Sequence, residues 1–259
     1  MIEEHTYDYS IHYQRNRPAL GTPRNWTAGL EFAKGEWIKV LHDDDWLASP
    51  DSLSTYVQFI DNTADIIFSG YVAVYEDSGK KVDRCITAQR FEQLIQNPFR
   101  LCAGNLIGPP SVMMFRRSMS VAFDPNLKWI VDWEGYIRMI LTHQVKYIPQ
   151  SLIHMSYNAT QVTNFCFGDP AVEIPEYLTF YSKHGVRARS GWLVYDAWWR
   201  LIRNLGIRSR KQLDAYAGGK NVPAFLYHII CHQQFLPNRF WKIGAVSKLG
   251  MFISYLINR

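Results

Sequence analysis

Three consecutive aspartates, Asp43, Asp44 and Asp45, occupy LHDDDW at positions 41–46, directly after the apolar alternation of EWIKVL. Adjacent carboxylates repel one another unless water or a cation screens them. Aspartate oxygens are hard ligands suited to Mg²⁺ or Mn²⁺, and such an ion takes one or two carboxylates together with substrate phosphates. One reading of the stretch is therefore a metal-bound diphosphate. The other is a solvated acidic turn whose last members cap the next helix. A second acidic group, Asp132 and Glu134, brackets Trp133 in FDPNLKWIVDWEGYIRM. A carboxylate there can act as general base on a hydroxyl. Equally, Asp132 can cap the helix that follows while Glu134 favours its dipole. His228 and His232 are four residues apart, a metal-capable spacing. They have no third ligand, and no metal is expected there.

Regular elements must position these groups. In GTPRNWTAGLEFAKGEW, Thr22 fits a helix N-cap, Pro23 the first helical position and Gly35 the left-handed residue past the end. EWIKVL reads as a strand, so the aspartates begin just past a strand's carboxyl end, where ligands gather in open α/β sheets. SPDSLSTYVQFI opens the next helix, with Ser49 as cap and Pro50 at the first position. ADIIFSGYVAVYED is a strand followed by the turn SGKK, RFEQLIQNPF fits a helix, and PPSVMMFRR fits a strand. WEGYIRMILTH reads as a helix and VKYIPQSLIHMSY as one or two strands. This alternation predicts an α/β fold. After about residue 170 the pattern becomes helical: PEYLTFYSKHG, GWLVYDAWWRLIRNLG, VPAFLYHIICHQQF and the tail RFWKIGAVSKLGMFISYLINR are four candidates. On the tail, Trp241, Ala245, Leu249, Phe252 and Leu256 share one face, with Ser247, Ser254 and Asn258 roughly opposite.

The chain has 259 residues, 47% hydrophobic and 20% charged, which describes a globular protein that can bury a sizeable core. The expected division is a catalytic domain over 1–168 and a basic helical region over 169–259. Cys85, Cys102, Cys166 and Cys231 show no metal-binding spacing and are expected to be reduced thiols of a cytoplasmic protein. MIEEHTYDYS has neither the basic nor the apolar region of a signal peptide. No run approaches the ~18 apolar residues of a membrane span. The net charge of +5 is uneven: residues 1–170 carry 15 Lys and Arg against 19 Asp and Glu, whereas residues 171–259 carry 13 against 4. The basic part suits a peripheral contact with anionic lipid on the inner face of a membrane. A nucleic-acid partner is not expected, because the basic residues are mixed with a strongly apolar tail and no recognition motif is present.

Taken in order, GTPRNWTAGLEFAKGEWIKVLHDDDWLASPDSL, IGPPSVMMFRRSM, FDPNLKWIVDWEGYIRM and YIPQSLIHMSYNATQVT resemble a family 2 glycosyltransferase, the nucleotide-sugar enzymes of GT-A fold. The likeness runs over residues ~11–163. It implies a Rossmann-like mixed sheet flanked by helices, here with a C-terminal helical region. It also implies a nucleotide-sugar donor, a Mg²⁺ or Mn²⁺ ion, and a glycan or lipid-linked acceptor. LHDDDW looks like the family's DxD-type motif: Asp44 would be the best metal ligand, Asp43 would lie near the donor's ribose or the metal, and Asp45 would be a further ligand. His42 stands where many relatives have the motif's first acid. VDWEGYIR looks like the ED-type motif, with Val131 in place of the glutamate and Asp132 retained as base. Arg138 matches an arginine that often follows, and Asn158 stands where a histidine is common.

The implied chemistry inverts the anomeric centre: an acceptor hydroxyl attacks opposite the leaving diphosphate and Asp132 takes its proton. An ordinary aspartate, with a pKa near ~3.9, is a weak base that accepts the proton late. Asn25 is expected on the donor side or as a first-turn polar residue. Trp133, Glu134 and Arg138 are expected on the acceptor side, with core packing the alternative for Trp133 and a surface ion pair for Arg138. Gly108 to Ser111 could form a plain turn or an acceptor wall. In this family an opening βαβ unit normally precedes the first matching helix, and here only MIEEHTYDYSIHYQRN does. The resemblance thus implies an N-terminally truncated domain with exposed sheet edges, poorly soluble or dependent on a partner. Two other functions stay open: a non-catalytic remnant or partner-binding module, and a metal-dependent phosphohydrolase using Asp43 to Asp45.

Overall fold

A computed structural model describes residues 10–119, 121–158 and 161–258. Its centre is β3 (Ile66–Tyr75), seven of whose ten residues are buried. On one side β3 pairs in parallel with the long β6 (Val145–Tyr157), with a register irregularity around Gly70. Gly70 is needed there, because a Cβ would run into the Cys85 sulfur. On its other side β3 takes two antiparallel neighbours in succession: β5 (Met113–Arg116) beside its first half and β4 (Lys81–Arg84) beside its second. Two three-residue strands, β1 (Trp37–Lys39) on β5 and β2 (Asp45–Leu47) on β6, form the opposite ends of the order β1-β5-β3-β6-β2. Residues 40–44 join these two end strands, so the acidic stretch runs between the opposite margins of the sheet.

Helices α1 (Thr22–Phe32), α2 (Ser52–Gln58), α3 (Ala88–Gln96) and α4 (Val131–Thr142) are interleaved with these strands. Then follow α5 (Val162–Cys166), α6 (Pro170–His184), α7 (Trp192–Asn204), α8 (Arg210–Tyr216), α9 (Ala224–Gln234), α10 (Asn238–Trp241) and α11 (Gly244–Ile257). The architecture is mixed α/β followed by helices, as the alternation predicts. One continuous apolar core reaches from Ile66, Phe68 and Phe115 of the sheet through Tyr136 of α4 to Trp198 and Trp199 of α7 and Ile229 of α9.

Several boundaries depart from the sequence expectation, each for a local reason. Gly21, with φ of 77°, is the cap of α1, and Thr22 is already helical. That helix stops at Phe32, with Ala33 extended, so Gly35 does not end it in the left-handed region. Ser49 and Pro50 form a turn ahead of α2: the Ser49 N–H donates to Ser52 Oγ (3.0 Å) and the Ser52 N–H to the Ser49 carbonyl (3.1 Å). This delays the helix to Ser52. The seven-residue α8, capped by Ser209, was not expected, because it is too short for a periodic signal. The tail is two helices rather than one, and Trp241 belongs to the first of them. The four cysteines are free.

Candidate active site

At the end of β1 the chain turns sharply. The Asp45 N–H donates to the His42 carbonyl (3.2 Å), and the His42 N–H to Ser111 Oγ (2.9 Å). Ser111 is fully buried and ties the acidic stretch to the Gly108–Ser111 loop. Its carbonyl accepts from Lys39 Nζ, which also donates to the Val40 carbonyl (2.7 Å). Trp26 of α1 stacks on the His42 imidazole at 4.9 Å between centroids. Pairing of Asp45 with Met155 draws its side chain inward, so Asp45 is buried. One ligand atom each from His42, Asp44 and Asp45 then lies within 4.8 Å of the others.

Burial sets the charge states here. It pushes the Asp45 carboxyl up to about 6, against hydrogen bonds from Ser111 and Ser156. It brings the Lys39 ammonium down to about 7, with Asp45 opposing. It also lowers His42, which favours the neutral imidazole that ligates metals. Among the described residues, His42 Nε2 and Asp45 Oδ2 are buried without a hydrogen-bond partner. A buried Asp45 oxygen with no donor, beside the His42 imidazole and a carboxylate oxygen of Asp44, is what a divalent cation would satisfy. The residues present therefore fit Mg²⁺ or Mn²⁺.

The opposite wall is the start of α4. Asp132 Oδ1 accepts from the Trp133 N–H (2.7 Å), and its Oδ2 accepts from Asn105 Nδ2 (2.7 Å). Asn105 is itself held: Nδ2 also donates to the Gly108 carbonyl (2.9 Å), and Oδ1 accepts from the Ile107 and Gly108 N–H groups (3.1 and 3.0 Å). Gly108 has φ of 108°, and a Cβ there would strike the Tyr71 ring, so only glycine fits. The Tyr136 hydroxyl donates to the same carbonyl (3.1 Å). Burial pushes the Asp132 carboxyl up to about 6, more than its hydrogen bonds pull it down. That makes it a stronger base than the ordinary aspartate expected from sequence, while it remains ionised near neutral pH.

The loop entering α4 is capped from a distance. Glu176 of α6 accepts from three backbone N–H groups, those of Lys128 (2.7 Å), Trp129 (2.9 Å) and Ile130 (3.0 Å). Neither Asn105 nor Glu176 was singled out from the sequence. Asn105 lies near a glycine turn, a weak signal. Glu176 has no local signal, since its partners are more than forty residues earlier.

Both walls open on one cleft of about 1640 Å³, larger than the ~300–1,000 Å³ of an ordinary small-molecule site. Asn25, Asp43, Asp44, Asp45, Asp132 and Trp133 all line it, as do Gly108 to Pro110 and Asn158. Asn25 accepts from Asn16 Nδ2 (2.8 Å). Asp43 lines the cleft outside the close His42–Asp44–Asp45 group. Trp133 lines the cleft and is buried, with its ring packed against Tyr177 and Phe180.

Glu134 and Arg138, expected on the acceptor side, do not line the cleft. Two helical residues two apart point in nearly opposite directions. With Asp132 facing the cleft, Glu134 is fully buried on the far side. It accepts there from Arg138 Nε (3.0 Å) and Lys183 Nζ (2.9 Å). Burial raises its pKa, but contacts from His184, Arg138 and Lys183 outweigh that and hold it below the usual carboxylate range. His228 and His232, four apart in α9, are hydrogen-bonded to Asn258 and Ser254.

The acid-rich loop and the aspartate at the helix start line one cleft, in the kind of place where ligands gather in α/β proteins. Residues 1–121 match the model of Glycosyl transferase family 2. It is 30% identical over 112 residues to EpsH of Bacillus subtilis, covering 43% of this chain and 31% of that one. It is 37% identical over 65 residues to the abequosyltransferase RfbV of Salmonella typhimurium, 25% of this chain and 19% of that one. The chain thus spans well under two thirds of the length of these curated relatives. Among solved structures, residues 1–349 of TarS from S. aureus in complex with UDP-GlcNAc superpose with a TM-score of 0.48 at 12% identity, over 92% of this chain and 73% of that one.

Proposed function

We propose that the chain transfers a glycosyl group, with inversion, from a nucleotide-diphosphate sugar to a hydroxyl of a lipid-linked or surface polysaccharide acceptor. The observation that carries this reading is the pairing, across one cleft, of the His42–Asp44–Asp45 group with an Asp132 carboxylate raised to about 6. The match of residues 1–121 to Glycosyl transferase family 2 supports it. His42, Asp44 and Asp45 would hold Mg²⁺ or Mn²⁺, with Asp43 and Asn25 on the donor side. When bound, the ion supplies neutralisation of charge developing on the leaving diphosphate.

The acceptor hydroxyl oxygen forms its bond to the anomeric carbon as the bond to the diphosphate oxygen breaks. That electron pair leaves with the diphosphate, and the hydroxyl proton passes to Asp132. Asn105 and the Trp133 N–H hold the carboxylate in place, which lowers the entropic cost of alignment. Arg200, Arg203 and Lys242 of the C-terminal region line the same cleft, which supports an acceptor-side role for residues 169–259.

The test is calorimetric titration of a nucleoside diphosphate panel, with and without Mn²⁺, into this chain and into Asp44→Ala. Metal-dependent binding that the substitution abolishes supports the reading. Absence of binding by every member overturns it in favour of a non-catalytic remnant. Release of phosphate without any sugar acceptor would instead favour a phosphohydrolase.

A further inference from the structure

Helix α11 is amphipathic with its faces reversed. Ser247 and Ser254 point inward and are buried. Ser247 Oγ accepts from Trp199 Nε1 (3.0 Å) and from Arg203 (2.7 Å), while Ser254 Oγ bonds with the Tyr195 hydroxyl (2.8 Å) and His232 Nδ1 (2.7 Å). Between them Gly250 lets the helix lie close on Trp241, where a Cβ would strike the ring. The opposite stripe is apolar and bare: Leu249, Phe252, Ile253, Leu256 and Ile257 are 63, 47, 50, 54 and 66% exposed. Their spacing of i, i+3, i+4, i+7 and i+8 places them on one face. Soluble helices put such a stripe inside, and contiguous apolar surface of this kind marks an interaction site.

We infer that this outer face of α11 docks in the plane of an anionic lipid surface. The helix has 14 residues and is about 21 Å long. Among the described residues, no helix is long and apolar enough to cross a membrane. A helix of this kind lies in the interface with its apolar side sunk to the level of the acyl chains. Charge selects the occupant. Residues 215–258 contain Lys220, Arg239, Lys242 and Lys248 and no Asp or Glu. At the far end of the helix, Arg189 donates to the Asn258 carbonyl (3.1 Å). Lys248 lies on α11 and Lys242 just ahead of it; anionic headgroups neutralise such cations, whereas a second copy of this basic region would repel them. Lys242 and Asn238, just ahead of α11, also line the cleft, so docking would bring the cleft close to acceptors carried in the same surface.

The test is flotation with vesicles of phosphatidylglycerol and phosphatidylcholine, compared with phosphatidylcholine alone. The chain is expected to float with the anionic vesicles and to be released by salt. The triple substitution Leu249→Gln, Phe252→Asn and Leu256→Gln touches only exposed side chains and should lower partitioning at least about tenfold, at an unchanged melting temperature. Lys248→Glu should weaken binding to the anionic vesicles alone. Equal flotation of the triple variant would overturn the inference. So would a wild-type chain that does not float but forms a dimer which the same substitutions dissolve. Nucleoside diphosphate binding, read separately by calorimetry, reports on the cleft whichever result is found.

Discussion

The two walls of the cleft are built differently. On the base side, Asp132 sits at the start of a twelve-residue helix, where Asn105 donates to it; Tyr136 of the same helix donates to the Gly108 carbonyl, and Glu176 caps the entry loop. On the acidic-loop side, β1 and β2 are three residues each, and α1 buries only Pro23. There His42 and Asp45 hold buried polar atoms with no partner. The described groups of the base wall are hydrogen-bonded to one another, whereas the acidic wall has buried polar atoms that a bound cation would satisfy. A proton acceptor must be aligned before reaction, whereas ligand groups can be drawn together by the ion they bind.

The largest effect that would test this contrast is on Asp132. Asp132→Asn should cut glycosyl transfer about 10²–10⁴-fold in a donor-turnover assay. Its fold should survive. The folded-state value is raised above 3.8, so the stability Asp132 contributes is fully present below 3.8 and lost as pH rises through about 6. Above pH 6 the variant should therefore melt no lower than the parent, and a clear loss of melting temperature there would break the contrast. In the parent, activity should fall as pH drops through about 6, and Asp132→Glu should shift that limb.

On the other wall, His42→Ala should weaken Mn²⁺-dependent nucleoside diphosphate binding at least about tenfold in calorimetry while leaving the base wall intact. Unchanged metal dependence would remove the imidazole from the ligand group. Glu176→Gln exchanges a carboxylate accepting three backbone N–H groups for a neutral amide. It should cost about 1–3 kcal/mol in denaturant unfolding and lower kcat more than it raises KM. Asn105→Ala should be the mildest. Losing a donor to the ionised carboxylate should move the acid limb of activity to higher pH, with a few-fold loss near neutrality. An unmoved limb would make Asn105 a purely structural turn residue.

Much of this was legible in the chain. The apolar alternation before HDDDW, the amphipathic spacing after Asp132 and the change to helical patterning near residue 170 are local signals, read by periods of two and 3.6 residues. The base wall's supports were not legible, because Glu176 meets its partners from another helix. Glu134, expected on the acceptor side, lies instead on the buried face of α4, a matter of helical phase. Adjacent positions in a motif diverge on a helix, and packing against α6 chose which of Asp132 and Glu134 faces the cleft.

The sequence by itself determined which residue types are available: hard oxygen ligands after a strand, a carboxylate at a helix start, and an amphipathic basic tail. Tertiary structure decided their states. Pairing of β2 with β6 buried Asp45 and set it in one close group with Asp44 and His42 rather than in a solvated turn. Packing of α11 on Trp199 and Tyr195 turned its serines inward and its leucines outward, the reverse of what its composition suggests. Burial and partner geometry depend on residues far apart in the chain, and they set both proton affinity and exposure.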